Sequence, residues 1–325
     1  MNDLSSVLGP RARQHMDAFP HGPKAVQIYT MLGFSILLCG ALMVCAGLSL
    51  RLLSSGNVFF LIGLLGALAI KRGTRLATSR YARSVGECAE SYALFASVCL
   101  IGALTSYPVA ALSHGYADPA LERIDLVLRF SWPAWYEVVA QHRALQILGL
   151  AAYESIYVTP AVLLAWYAFR GERREANKFL ATFWLAALMT LALFSLMPAV
   201  GPLSFLWHGR ISYMPVSELW QPNLIPALRA HRVHDVDLSQ LRGLVSAPSF
   251  HAAAAVIYIA TAIRIPRLRW PLILLNIAML FATPVEGTHY LADIVLGMMV
   301  ALAALAAMRL TFTRQAGKAA VTYAR

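Results

Sequence analysis

Long apolar stretches alternate with short charged connections along most of this chain. Stretches able to cross a bilayer, which takes about 20 residues each, run over 28–50, 57–70, 88–113, 146–168, 178–198, 248–263, 270–286 and 289–310. The pattern predicts an all-α, polytopic transmembrane bundle of about eight helices. The second stretch covers only 57–70 and reads either as a short span or as a re-entrant segment tied to its neighbours. Residues 1–27 carry charges and prolines and form a separate N-terminal segment. The apolar run after them is too long for a signal-peptide core and lacks a clean small-residue cleavage site, so it is expected to remain as an anchor.

Two connections are long. The first, 114–145, sets Leu121, Ile124, Leu128, Trp132 and Trp135 at near-helical spacing interrupted by Pro133, and is expected to lie along the membrane interface as an aromatic anchor. The second, 199–247, carries Trp207, His208, Arg210, Trp220, Arg229, His231, Arg232, His234 and Arg242. Loops of that length usually have a task such as covering a site. Pro198, Gly201 and Pro202 end the fifth apolar stretch and are read as helix breakers. No internal repeat or inverted pair of broken helices is visible, which weighs against a transporter.

Composition agrees with a membrane chain. Hydrophobic residues make up 59% and charged residues 13%, against about a quarter charged in soluble domains, and the mean hydropathy is +0.61. The net charge of +11 does not indicate nucleic acid, because the basic residues fall in short clusters between apolar stretches rather than in a stripe with interleaved aromatics. Of the 27 Lys and Arg, 19 lie in the N-terminus, 71–85, 170–178, 264–269 and the tail from Arg309, and 8 lie at Arg51, in 114–145 and in 199–247. The positive-inside rule then puts both termini in the cytosol and both long loops outside. With more arginine than lysine, a bacterial inner membrane with an outward, periplasmic site is the expected setting. Cys39, Cys45, Cys88 and Cys99 form no C-x-x-C pair and are read as buried structural thiols.

The candidate chemistry lies in two short stretches, Ala247-Pro248-Ser249-Phe250-His251 and Gly287-Thr288-His289-Tyr290-Leu291-Ala292-Asp293, at the outer starts of the sixth and eighth helices. Ionisable groups inside a membrane are functional candidates by default. His289 and Asp293, four apart, share a helical face, so the carboxylate can hold the imidazole as an oriented nucleophile or base. Pro248 suits the first turn of a helix with Ser246 or Ala247 as its cap. The free amides there attract phosphate, with Ser249 as a further donor and Arg242 as a cationic clamp. Glu154, among Tyr153, Tyr157 and Thr159, either lines a lipid site or hydrogen-bonds between helices. Glu286 is either a solvated loop acid or a proton acceptor. His231, His234, Asp235 and Asp237 are metal-like only superficially, since metal sites need ligands converging in a fixed frame. No metal and no cofactor is expected.

Pro248-Ser249-Phe250-His251 and His289-Tyr290-Leu291-Ala292-Asp293 with Gly297 resemble the type 2 phosphatidic acid phosphatase superfamily, whose second motif reads P-S-x-H and third H-Y-x-x-D-x-x-x-G. The resemblance implies a six-helix catalytic core over 88–310, an added hairpin with its connecting loop over 28–87, and a tail at 311–325. It implies that His289 attacks phosphorus, Asp293 orients it and His251 protonates the leaving oxygen. The first motif of the lipid phosphatases, K-x6-R-P, is absent, and the arginine six residues before the third-motif histidine is Thr283 here. That pattern is more similar to the inositol phosphorylceramide synthase branch, which moves a phospho-headgroup between lipids, and leaves Arg210, Arg232 or Arg242 as substitute phosphate ligands. The expected partners are the bilayer and a phospholipid or lipid-phosphate substrate. The rival expectation is a non-catalytic lipid-binding protein or transporter on the same scaffold.

Overall fold

A computed structural model describes residues 22–51, 55–75, 77–217 and 219–323. The chain is an all-α polytopic bundle. Among the described residues it forms α1 (Ala25–Cys45), α2 (Ser55–Arg75), α3 (Arg80–Leu112), α4 (Asp118–Val127), α5 (Trp132–Gln141), α6 (Arg143–Arg170), α7 (Arg173–Leu196), α8 (Pro202–Phe205), α9 (Trp220–Arg229), α10 (Phe250–Ala262), α11 (Arg269–Glu286) and α12 (Leu291–Tyr323). Each apolar stretch marked in the sequence coincides with a helix. Six are long and apolar enough to cross a membrane, namely α1, α2 from Asn57, α3, α6, α7 and α12 to Thr311. The second stretch lies within a continuous helix of 21 residues. Most of the N-terminal segment, residues 1–21, lies outside the described residues.

The middle of the bundle is α10, which packs on α6, α7, α11 and α12. It suits that place because Ala252 to Ala255 carry almost no side-chain volume and are fully buried, so neighbouring backbones approach closely. Below them Tyr258 fills the core against Phe183, the rings 6.1 Å apart and nearly parallel. Its hydroxyl donates to Ile156 O at 3.0 Å, which satisfies the one polar atom it takes into the interior. At 13 residues α10 is about 20 Å long, short of the ~30 Å hydrocarbon layer.

The two long connections fold into a cap over one end of the bundle. The first is not a lipid-facing anchor along its length. Its α4 and α5 are separated at Arg129, and Pro133 opens α5 instead of breaking a helix. Trp132 is 1% exposed and donates from Nε1 to Pro284 O at 2.7 Å, and Tyr136 is fully buried against it. Only the opposite face, with Ile124, Leu128 and Trp135, stays exposed. The second connection reaches back to α1 through a two-residue parallel bridge, Ser49–Leu50 with Asp235–Val236. Cys45 is exposed, whereas Cys39 is the buried thiol of the four.

Candidate active site

His289 owes its position to how α11 stops. Its N–H donates to Pro284 O at 3.0 Å and that of Thr288 to Val285 O at 3.1 Å. This paired pattern closes a helix through a left-handed residue. Glycine is usual at that residue, yet here it is Thr288, with φ of 49°, a strained choice for a β-branched side chain. Thr288 is held by its surroundings, for its Oγ1 accepts from Ser217 Oγ at 3.2 Å. Gly287 lies against the imidazole, where a Cβ would fall 3.0 Å from Nε2.

Asp293 lies in the first turn of α12. Its Oδ2 accepts the Tyr290 N–H at 3.2 Å, the return half of a capping box. Its Oδ1 is 3.3 Å from His289 Nδ1, a close contact without hydrogen-bond alignment. His289 is therefore not on the helix with Asp293, as the four-residue spacing suggested, but just before it, and the two still meet. Both are sealed in, His289 at 3% exposure and Asp293 at 0%.

The α12 backbone also ties the two motifs together, because Asp293 O accepts the Ser249 N–H at 3.0 Å. Gly297, one turn further, lets the helices touch. A Cβ there would fall inside the contact distance of Ser249 O and 3.2 Å from Ala252 Cβ. Ser249 is itself the cap of α10, its Oγ accepting from Ala252 N at 3.4 Å. The cap is therefore two or three residues later than Ser246 or Ala247, and His251 is the second helical residue instead of one turn in. The amides of Phe250 and His251 keep no acceptor among the described residues. The His251 ring stacks on Tyr153 of α6, centroids 3.8 Å apart at 13°, and lies within electrostatic range of His289.

Two carboxylates that the sequence reading passed over hold the frame. Asp125 of α4 accepts the N–H groups of Leu291 and Ala292 at 2.9 and 2.8 Å, taking the first free amides of α12. Burial pushes its carboxyl up, and those two amides pull it back. Asp118 accepts from Val200 and Gly201 N–H at 3.0 and 2.9 Å and from Tyr290 Oη at 3.1 Å. Asp118 and Asp125 flank Leu121 of the apolar stripe at helical spacing, and all three are buried. Gly201 is more than a helix breaker. Its φ is 89°, and a Cβ there would lie 2.8 Å from Thr288 O. Asp125→Ala is expected to cost about 2 kcal/mol or more through the loss of two charge-assisted bonds. A lower thermal midpoint, with turnover falling further than the unfolded fraction explains, is the result that checks it.

The remaining candidates divide. Glu286 is not solvated. It is 1% exposed, accepting from Tyr213 Oη at 2.7 Å and from Val216 N at 3.4 Å, and so latches the cap to α11. Burial and this carboxylate both push the Tyr213 phenol up, which keeps it a donor. Glu154 is exposed and makes no hydrogen bond among the described residues, so it does not bridge helices, although it lies within electrostatic range of Tyr153. Arg242 lies over the Trp220 ring at 4.6 Å. Arg210 and Arg232 are exposed on the cap, and no arginine donates to His251, His289 or Asp293 among the described residues. Arg229 is spent on Ser113 Oγ and Gly115 O at 3.0 and 2.9 Å. Asp235 engages Ser49 and Arg51, and Asp237 caps a short 3₁₀ turn.

The model of the PAP2 superfamily matches residues 119–307, more than half of the chain. The chain belongs to that superfamily, whose members are in general phosphatases and phosphotransferases, and its six long apolar helices make it a multi-pass membrane protein. The matched region takes in the cap, α6, α7, α10, α11 and about half of α12 and leaves α1 to α3 outside. No curated protein and no solved structure matches the chain.

Proposed function

We propose that this protein cleaves a phosphoester or phosphodiester of a membrane lipid through a phosphohistidine and passes the phosphoryl group to water or to another hydroxyl. The observation that carries this reading is the buried His289–Asp293 pair set beside the amides that open α10. With Nδ1 turned to Asp293, Nε2 is the atom left to attack phosphorus. As the P–O bond to the leaving group breaks, His251 gives it a proton. The acceptor hydroxyl then loses its proton to His251 while its oxygen displaces Nε2, restoring both imidazoles. The Phe250 and His251 amides and the Ser249 hydroxyl receive the phosphoryl oxygens, and Arg242, Arg210 or Arg232 brings positive charge from the cap. Glu154, exposed beside Tyr153, borders the path of the lipid.

Transfer to an alcohol is the second reading, as in the inositol phosphorylceramide synthase branch. The closed cap favours it, because Trp132, Tyr136 and Tyr213 cover the site end and leave His289 almost no contact with solvent. The distribution of Lys and Arg supports a site on the non-cytosolic leaflet of a bacterial inner membrane. The test offers the purified protein phosphatidic acid, polyprenyl diphosphate, and ceramide with phosphatidylinositol, with a chelator present. Turnover with an acid-labile phosphohistidine on the wild type is expected. Turnover that vanishes on chelation contradicts the metal-free route, and no turnover on any of the lipids favours a binding protein or transporter.

A further inference from the structure

At the end of the bundle opposite His251 and His289 is a cleft that this chemistry does not use. It exists because α10 stops at Ala262 while α7 and α12 flank the gap it leaves. The recess between them is about 40 Å³ and open to the exterior. Met308 on its wall is 15 residues along α12 from Asp293, about 22 Å away.

Its inner wall is apolar, with Leu305 and Met308 of α12, and its rim is basic, with Lys178, Arg264 and Arg309. Among the described residues one carboxylate, Glu175, faces them and is engaged by Arg264 at 3.1 Å. Lys178 has no ion pair among the described residues. The ordinary reading of such cations is an orientation signal for insertion. That reading asks only that they lie in connecting loops. Here they come from α7, from the turn after α10 and from α12, and converge on one concavity. The N-terminus of α7 opens toward the same end, and its dipole adds to the positive field there.

We propose that this cleft binds the phosphate headgroup of an anionic phospholipid from the leaflet opposite the active site. The phosphate is met by Lys178 and Arg309, and an acyl chain runs along the apolar wall. Among the described residues, Lys178, Arg264 and Arg309 line the cleft with one carboxylate, which suits a headgroup with net negative charge. They discriminate against a zwitterionic one, whose ammonium gains nothing here. The assignment rests only on the chain being a membrane protein and not on the phosphotransfer reading.

Native mass spectrometry of the full-length protein, titrated with phosphatidylglycerol or phosphatidylcholine, tests it. The wild type is expected to prefer phosphatidylglycerol by about tenfold or more, the size that two near-surface cations confer. Lys178→Ala with Arg309→Ala is expected to lose that preference, and Lys178→Arg with Arg309→Lys to keep it, while the activity of each pair stays at the wild-type level. If the alanine pair fails to fold, Lys178→Gln alone is expected to show about half the logarithmic effect. The proposal is overturned if a folded alanine pair keeps the wild-type preference, or if the wild type binds both lipids equally. Displacement of the lipid by millimolar inorganic phosphate also overturns it, since the cleft would then be reading a free anion.

Discussion

His289→Ala is expected to reduce turnover by roughly four orders of magnitude or more, the usual cost of deleting a covalent nucleophile, and to abolish the acid-labile label. Asp293→Asn is expected to act differently. The side-chain volume and the acceptor for the Tyr290 N–H survive, but the pair with His289 Nδ1 loses its charge, and the imidazolium formed on attack loses its counter-ion. A fall of about 10²- to 10⁴-fold in kcat with a smaller change in KM is the expected pattern, with the label still forming slowly. The two variants separate nucleophile from orienter, because only the first removes the atom that becomes phosphorylated. Rapid-quench labelling with a phosphorus-32 lipid, with thermal midpoints as the folding control, distinguishes them. A His289→Ala protein that keeps more than about 1% of activity would move the nucleophile elsewhere.

The bundle was legible because bilayer-length apolar runs encode helices almost directly, and every such run became one. The site was legible at its ionisable core for a related reason. His251, His289 and Asp293 are costly among apolar neighbours, so their presence marks them. The cap was not legible in the same way. Asp118 and Asp125 find their partners in the turn at Val200 and Gly201 and at the start of α12, and nothing local to residues 118–127 reveals acceptors that serve amides so far along the chain. Of the apolar stripe, Ile124, Leu128 and Trp135 do face outward, but Leu121 is buried on the same side as Asp118 and Asp125. Trp132 misled for the same reason. An aromatic beside a membrane reads as an interfacial anchor until its indole N–H is seen to bond Pro284 O, the same carbonyl that accepts the His289 N–H.

That shared carbonyl shows how cap and site depend on each other. Thr288 is held left-handed between Ser217 above it and the close backbone of Gly201 beside it, and Glu286 just before is latched by Tyr213. The cap therefore fixes the turn that carries the imidazole, besides excluding water from it. A substitution in 199–217 that loosens this contact reaches His289 through the backbone without touching a reacting atom.

The second large effect is expected from Gly297→Val. The residue has no role in the proposed chemistry, yet its missing Cβ lets α12 meet the start of α10. A side chain there collides with the Ser249 carbonyl, which is backbone and cannot rotate away, and then with Ala252 Cβ. The collision is relieved only by moving α12 outward. That stretches the Ser249 N–H bond to Asp293 O, now 3.0 Å, and carries the Asp293 carboxylate away from the open end of α10. Overpacking of this kind costs about 1–3 kcal/mol or more in a close-packed interior. The loss of catalysis should exceed it, because displacements near 1 Å already cost about 10²-fold. Gly297→Ala should fall between the wild type and valine in both thermal midpoint and kcat, with phosphohistidine formation slowed in step. If the valine variant keeps wild-type turnover, the contact between α10 and α12 does not set the spacing of the two histidines.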